Sequence, residues 1–350
     1  MTNCSFFHRK VDSNSISYLQ VIIPIMADGS TVKYLPLLSS SLTQLGVKNK
    51  PIDQFDSDIK LYTGGISLSP FIQNNIHGST ELKLICKSNC LEKNTSKMIE
   101  LIQESFNYCN FDDLVKMQSL LSSTRASAIN SIADSGHLYA MMHSASNLSL
   151  SSKLHEEMEG ISQALHLNAI CKESIESMAE KLKQLFYSIM MVKPVVSVVS
   201  EAIESEKIQH LISNLPLRDG PKGSLSASSD SAVRNVFFAM PFFTNYAAQS
   251  FKTVTFTHKD SASLRVLSKL LSSKYLLREI REKNGAYGGG ARYSAMDGIF
   301  SFYSYRDPNP ASSLSSFTNS LLWAIKKEFS DQVYRFLMKG FDGVQIVYFW

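Results

Sequence analysis

The residues best suited to chemistry lie in one stretch, 278–290. Within it, Arg281 and Tyr287 precede three consecutive glycines, Gly288, Gly289 and Gly290. A guanidinium stays charged and a phenol donates a hydrogen bond, so both side chains suit a carbonyl oxygen or an oxyanion. Glycines allow another backbone to approach closely. One interpretation is therefore an extended peptide lying against a glycine-rich strand, with Arg281 and Tyr287 as its hydrogen-bond donors.

Two other interpretations of this stretch stay open. A phosphate cradle is disfavoured, because no Gly-Lys-Ser/Thr follows and because the glycines come after a helix, where the dipole has the wrong sign for an anion. Cations at the end of a helix can also simply complement the macrodipole while their stems pass the edge of the core.

A helical wheel favours a functional role for these cations. At about 100° per residue, an apolar arc carries the positions of Lys274, Arg278 and Arg281 among its leucines. The leucines of this arc are Leu264, Leu267, Leu270, Leu271 and Leu277. Charges on a core-facing arc need a cavity or partners, so the wheel predicts that these three cations face inward.

Other catalytic signatures are missing from the sequence. Neither H-x-x-E-H nor H-E-x-x-H occurs, and there is no G-x-S-x-G elbow. His137 and His143 are six residues apart, a spacing that favours structural or surface roles. Cys86 and Cys90 form a close pair without a second pair, so we interpret them as buried, inert thiols. No metal site is predicted.

Composition narrows the class of protein. The 350 residues carry 35 Lys+Arg against 31 Asp+Glu, a net charge of +4 that does not indicate a nucleic-acid surface. Hydrophobic residues make up 44%, enough for packed cores, and no apolar run reaches the roughly 18 residues of a membrane span. We therefore expect neither nucleic acid nor membrane as a partner. The length predicts two or three domains.

Periodicity indicates two similar segments. The first is predicted to contain strands at 16–27, 59–69, 81–87 and 195–199, with helices at 31–46, 94–108, 111–130 and 155–187. The second is predicted to contain a strand at 233–242, a helix at 260–282 capped by Asn284-Gly285, a hairpin turning at Asp297-Gly298, and a helix at 312–328. A stretch rich in Pro, Gly and Ser separates the segments. Tyr62-Thr63-Gly64-Gly65 and Tyr287-Gly288-Gly289-Gly290 occupy matching places, an offset of 287 − 62 = 225 residues.

Parts of both segments resemble a known family. Residues 280–291 (IREKNGAYGGGA) and 298–309 (GIFSFYSYRDPN) closely resemble the C-terminal half of the pitrilysin/insulinase class of zinc peptidases. So do 34–38, 42–46, 63–67 and 134–140 in the first segment. The resemblance covers roughly residues 15–330.

This resemblance implies an α+β fold of two related α/β-roll domains, each a mainly antiparallel sheet with helices packed on one face. The predicted domains are a third-domain-like unit at 14–205, a linker at 206–232, and a fourth-domain-like unit at 233–350. We expect the second domain to be truncated, because the match fades after about residue 330.

The resemblance also implies the function. Zinc, its ligands and the general base belong to the family's N-terminal half, and this chain lacks them. The C-terminal half supplies an Arg and a Tyr that hold the substrate backbone, by motif Arg281 and Tyr287. The chain is thus expected to be the substrate-binding half of a metalloendopeptidase that cleaves mitochondrial targeting peptides and other short unstructured peptides. Its partners would be those oligopeptides and the zinc-bearing half, and its location the mitochondrial matrix. The alternative is a non-catalytic peptide-binding or regulatory subunit.

Overall fold

The computed structural model describes residues 5–25, 29–190, 192–201 and 235–327. The chain divides into two compact units that are not contiguous in sequence. The first unit is Met1–Ile129 with Glu157–Ser226, and the second is Asn130–Glu156 with Ala227–Trp350. The predicted linker at 206–232 and the segment 331–350 lie outside the described residues.

The first unit is built on a five-stranded sheet. Its strands are β1 (Ser5–Lys10), β2 (Ile16–Ile25), β3 (Ile66–Asn74), β4 (Thr80–Leu91) and β5 (Val195–Ser200). Their order is β1-β5-β2-β4-β3, and all neighbours are antiparallel except β1 and β5. Alternate residues of β2 are buried, namely Leu19, Val21, Ile23 and Ile25. This period of two places one face of the sheet in the core.

Helices complete the first unit. They are α1 (Gly29–Val32), α2 (Leu35–Gln44), α3 (Ile52–Tyr62), α4 (Thr95–Tyr108), α7 (Ile161–Ile170) and α8 (Ile175–Ile189). A 3₁₀ turn, Glu92–Asn94, precedes α4. Two further helices contribute residues to both units, α5 (Leu114–Ala145) and α6 (Leu150–Glu159).

The strand predicted at 59–69 is wrong, because most of this region belongs to α3 and β3 begins only at Ile66. Phe55, Ile59 and Tyr62 pack into one cluster with Val47 and Leu101. Their spacing of four and three residues is that of one helical face.

The cysteines of the first unit give a direct test of burial. Cys86 and Cys109 are buried, and burial raises the pKa of each thiol to about 12. Iodoacetamide at pH 8 is expected to modify half-buried Cys171 in the native protein, and to reach Cys86 and Cys109 only after unfolding. Peptide mass mapping measures this order. Native alkylation of Cys86 or Cys109 at the rate of the unfolded chain would contradict the described packing.

The second unit contains a three-stranded antiparallel sheet. Its strands are β6 (Asn245–Lys252), β7 (Gly288–Ser294) and β8 (Ile299–Asp307), in the order β6-β8-β7. The strand predicted at 233–242 is wrong for its described residues, 235–242, which form no strand. Pro241 cannot donate to a sheet ladder, and pairing begins only at Asn245.

Helices and aromatic side chains form the core of this unit. α9 (Ser261–Leu271) continues directly into a π-helical segment (Ser272–Lys283), and α10 (Pro310–Lys326) follows the sheet. Phe302 and Phe317 stack with ring centroids 5.5 Å apart, within a cluster that includes Phe300. The mixed architecture, antiparallel sheets with packed helices, confirms the predicted fold class. None of the helices in the described ranges is long and apolar enough to cross a membrane.

Candidate functional site

The helix that carries Arg281 does not have α geometry. From Ser272 to Lys283 it is a π-helix, in which residues four and five apart share a face. Leu276 and Ile280, five and nine residues after Leu271, are accordingly the fully buried positions of this segment. The predicted wheel assumed 3.6 residues per turn, so it gave the wrong face.

The cations predicted on the inner face are therefore exposed. Lys274, Arg278 and Arg281 all lie at the surface, together with Leu277. Leu277 therefore no longer marks a core-facing arc once the helix takes π geometry. Arg281 is solvent-accessible instead of projecting into a buried cavity, and it forms no ion pair within the described part of the chain.

The helix ends at the predicted Asn284-Gly285 cap. Gly285 takes the left-handed conformation, with φ +78°, whereas Asn284 does not. The N–H groups of Gly285 and Ala286 donate to the carbonyls of Arg281 and Ile280, each at 3.1 Å. This cap reverses the chain and brings Tyr287 back beside the last turn.

Arg281 and Tyr287 meet as a result. The guanidinium carbon of Arg281 lies 5.9 Å from the centroid of the Tyr287 ring, a cation–π contact. The Tyr287 side chain is 66% exposed, so its phenol is accessible to solvent. The structure thus brings together the two residues that the sequence singled out, six positions apart in the chain.

Further aromatic side chains support Tyr287 from behind. The ring of Tyr305 packs edge-on against Tyr287 at 5.6 Å. Tyr305 in turn contacts His137 at 4.7 Å and Tyr246 at 5.8 Å. We refer to Tyr287, Tyr305, His137 and Tyr246 as the aromatic cluster. All of its members belong to the second unit.

The segment 130–156 anchors this cluster through its backbone. The hydroxyls of Tyr246 and Tyr305 donate to the carbonyls of Ala133 and Asp134, at 2.6 Å and 3.2 Å. α5 is kinked immediately afterwards, at Ser135, whose φ of −126° and ψ of 30° are not helical. Partial burial, and secondarily the charge of Arg292, lowers the pKa of His137, so its ring is neutral at pH 7.

The three glycines of β7 have different surroundings. A Cβ on Gly288 would have no atom within 4 Å, so the space beside Tyr287 is open. A Cβ on Gly289 would lie 2.9 Å from the Ile280 side chain and 3.0 Å from the Tyr303 carbonyl oxygen. At Gly290 the nearest atom would be Ser272 Oγ, at 3.0 Å. Gly289 and Gly290 thus allow the π-helical segment to pack on the strand.

The glycine-rich strand is an edge strand of the sheet as far as the structure describes it. The N–H of Ala291 donates to Ser272 Oγ at 2.8 Å, and the same oxygen lies 3.1 Å from the Ala291 carbonyl oxygen. The π-helical segment therefore satisfies the strand backbone at Ala291. The start of the strand, at Gly288, has no side chain over it.

Several residues of this site were missed by sequence reasoning. Tyr305, Tyr246 and Arg306 were not singled out, and His137 was interpreted only as structural or surface-exposed. His137 is half-buried against Tyr303 and Tyr305, which agrees with a structural role. No local signal marks these residues, because their contacts join parts of the chain that are more than 100 residues apart.

The described residues do not fit a resident zinc. No group of three or more His, Cys, Asp or Glu side chains among them is placed to hold a metal ion. His143 Nδ1 and Glu156 Oε1 are 2.8 Å apart, but this pair packs against Phe238 and has no third ligand. The chemistry available at this site is therefore hydrogen bonding and charge from Arg281 and Tyr287.

Two family models match the chain. The model for the region associated with M16 peptidases of subfamily C matches residues 1–170, and the model for the "PreP C-terminal domain" matches residues 235–335. The second match contains Arg281, Tyr287 and the glycines. The first contains α5 up to and beyond His137.

Curated relatives cover nearly the whole chain. The mitochondrial presequence protease of Schizosaccharomyces pombe is 34% identical over 332 residues, which are 91% of this chain and 33% of the relative. That of Saccharomyces cerevisiae is 35% identical over 89% of this chain and 34% of the relative. The chain thus spans about one third of the length of the curated relatives that it matches.

Solved structures share the fold at low identity. A conserved protein from Enterococcus faecalis superposes with a TM-score of 0.74 at 12% identity, covering 97% of this chain and 83% of that one. Because the identity is so low, this likeness concerns the fold alone. Together with the family models and the relatives, it shows that the chain belongs to the presequence protease family of M16 peptidases, of which it spans the peptidase-associated region and the PreP C-terminal domain.

Proposed function

We propose that this chain is the substrate-binding half of a zinc metalloendopeptidase that degrades short unstructured peptides, mitochondrial targeting peptides among them. In this proposal the chain does not cleave alone, because the zinc chemistry belongs to another part of the enzyme. Arg281 and Tyr287 hold the peptide backbone and stabilise charge that develops on the carbonyl oxygen. We also propose a mitochondrial location, since the relatives are named as mitochondrial.

One observation carries this proposal, the exposed Arg281–Tyr287 pair at the start of an edge strand. The guanidinium offers several N–H donors in a fixed plane, and the phenol offers one O–H. Their 5.9 Å contact orients both groups before any peptide arrives, which lowers the entropy lost on binding. Open space at Gly288 supports the approach of an extended backbone.

A chimaera tests the proposal. The matched third of the Schizosaccharomyces pombe relative is replaced by this chain, and cleavage of a fluorogenic unstructured peptide is measured. Arg281→Ala and Tyr287→Phe are each expected to lower kcat/KM by about 10- to 100-fold, the scale for losing one donor to an oxyanion. Both side chains are exposed, so the melting temperature should stay within about 1 °C.

The matched control is Arg278→Ala, an exposed arginine on the same helix. It removes the same charge three residues away and should leave kcat/KM unchanged. Equal activity of the Arg281→Ala and Arg278→Ala chimaeras would reject the proposed role of Arg281. Tight peptide binding by the 350-residue chain, with a chimaera that never cleaves, would instead support a regulatory peptide-binding subunit.

A further inference from the structure

An irregularity in the sheet lies directly beside the Arg281–Tyr287 pair. β6 and β8 pair regularly up to Ala247 and Ser304, but Asn245 then pairs with Asp307. Two residues of β8, Tyr305 and Arg306, therefore oppose Tyr246 alone. Such a β-bulge changes the direction in which a side chain points.

Arg306 also has a strained backbone. Its φ is +46°, the left-handed region that non-glycine residues rarely adopt. In a regular strand, Tyr305 and Arg306 would point to opposite faces. Here the bulge brings the Arg306 guanidinium back over the ring of its neighbour Tyr305, with the guanidinium carbon 5.3 Å from the ring centroid.

The redirected arginine borders the candidate site. Tyr305 packs on Tyr287, and the N–H of Tyr287 donates to the Arg306 carbonyl at 3.3 Å. One arginine thus lies against each ring of the Tyr287–Tyr305 pair, Arg281 on the first and Arg306 on the second.

Arg306 is exposed and forms no ion pair with any described residue. Its neighbour Asp307 is fully buried and accepts the N–H of Asn309 at 2.8 Å. The fold therefore maintains a strained backbone that presents an uncompensated guanidinium. Strain of this kind persists at functional sites when the surrounding structure enforces it.

We propose that Arg306 is a second peptide-binding residue, which recognises a carboxylate of the peptide held by Arg281 and Tyr287. The inference rests on the function proposed above. A planar guanidinium stacked on an aromatic ring matches a carboxylate through paired N–H donors. The carboxylate can be an acidic side chain or the peptide's free C-terminus, and the experiment separates these two sources.

The test uses the 350-residue chain and fluorescently labelled unstructured peptides, with affinity measured by anisotropy. One peptide pair differs only in a free or amidated C-terminus, and a second only in an internal Glu or Gln. The chain should bind the charged member of at least one pair about three- to five-fold more tightly, the upper range for an exposed ion pair. Whichever pair shows the difference identifies the source of the carboxylate.

Arg306→Gly is the informative variant, because glycine accepts a φ of +46° without strain. We expect it to keep or raise the melting temperature while it abolishes the preference for the charged peptide. Arg281→Ala should weaken all peptides alike and preserve that preference. A preference that survives Arg306→Gly, or peptides that do not bind at all, would overturn the inference. Loss of the preference in Arg306→Gly, with Arg281→Ala binding normally, would support Arg306 and reject the function proposed for Arg281.

Discussion

Replacing Gly289 by valine is expected to destabilise the protein by about 2–3 kcal/mol, whereas the same change at Gly288 should cost nearly nothing. A Cβ on Gly289 would lie 2.9 Å from Ile280 and 3.0 Å from the Tyr303 carbonyl oxygen. Ile280 is fully buried and the oxygen belongs to a paired strand, so neither can move cheaply. Overpacking of this kind typically costs about 1–3 kcal/mol.

The control lies one residue away in the same strand. A Cβ on Gly288 would meet nothing within 4 Å, and β-branched residues suit strands. Urea denaturation of the two variants, followed by circular dichroism, measures the difference in free energy of unfolding. Similar stabilities for Gly289→Val and Gly288→Val would show that the π-helical segment does not pack on β7 as described.

The second large effect is expected at Gly136, in the segment of α5 that belongs to the second unit. A Cβ there would lie 2.4 Å from a ring carbon of Tyr246. Gly136 does not have a positive φ, so the backbone alone would accept alanine. The Tyr246 hydroxyl is tied to Ala133 at 2.6 Å, which limits how far the ring can move. Gly136→Ala should therefore cost about 2–3 kcal/mol of stability.

A double-mutant cycle identifies the cause. In a Tyr246→Ala background the ring is absent, and Gly136→Ala should become neutral or stabilising by a few tenths of a kcal/mol, because alanine is the better helix former. Thermal unfolding of the four proteins gives the coupling free energy. Additive effects of the two substitutions would mean that Gly136 and Tyr246 are not in contact.

Local patterns predicted part of this site. Asn284-Gly285 predicted the end of the helix, and Gly285 supplies the left-handed residue that turns the chain. Asp297-Gly298 predicted the connection between β7 and β8, where Gly298 has φ +64°. Both depend on a few adjacent residues, which is why sequence alone was sufficient. The closeness of Arg281 and Tyr287 follows from the same cap.

The direction of Arg281 could not be predicted in this way. An α-helical period was the reasonable assumption for 260–282, and it holds as far as Leu271. Beyond that point the packing of Leu276 and Ile280 on the glycine-rich strand is satisfied with π geometry. A wheel carries no information about such a change, because tertiary packing decides it.

Long-range contacts account for the remaining errors. Nothing in the residues of 130–156 indicates that they pack with strands that begin at Asn245, and the linear domains 14–205 and 233–350 ignored this exchange. The bulge at Tyr305 and Arg306 likewise depends on pairing with Tyr246. The sequence 298–309 resembled the family, yet the strained arginine within it carried no separate signal.

The interleaving of the two units constrains when each can fold during synthesis. β1 has β5 as its sheet neighbour, and β5 is translated about 190 residues later. At roughly 5–20 residues per second, β1 would wait about 10–40 seconds for that partner. The segment 130–156 waits in the same way for β6 and β8. A ribosome that pauses near residue 200 would therefore present a first unit able to close its sheet, with the aromatic partners of His137 not yet made.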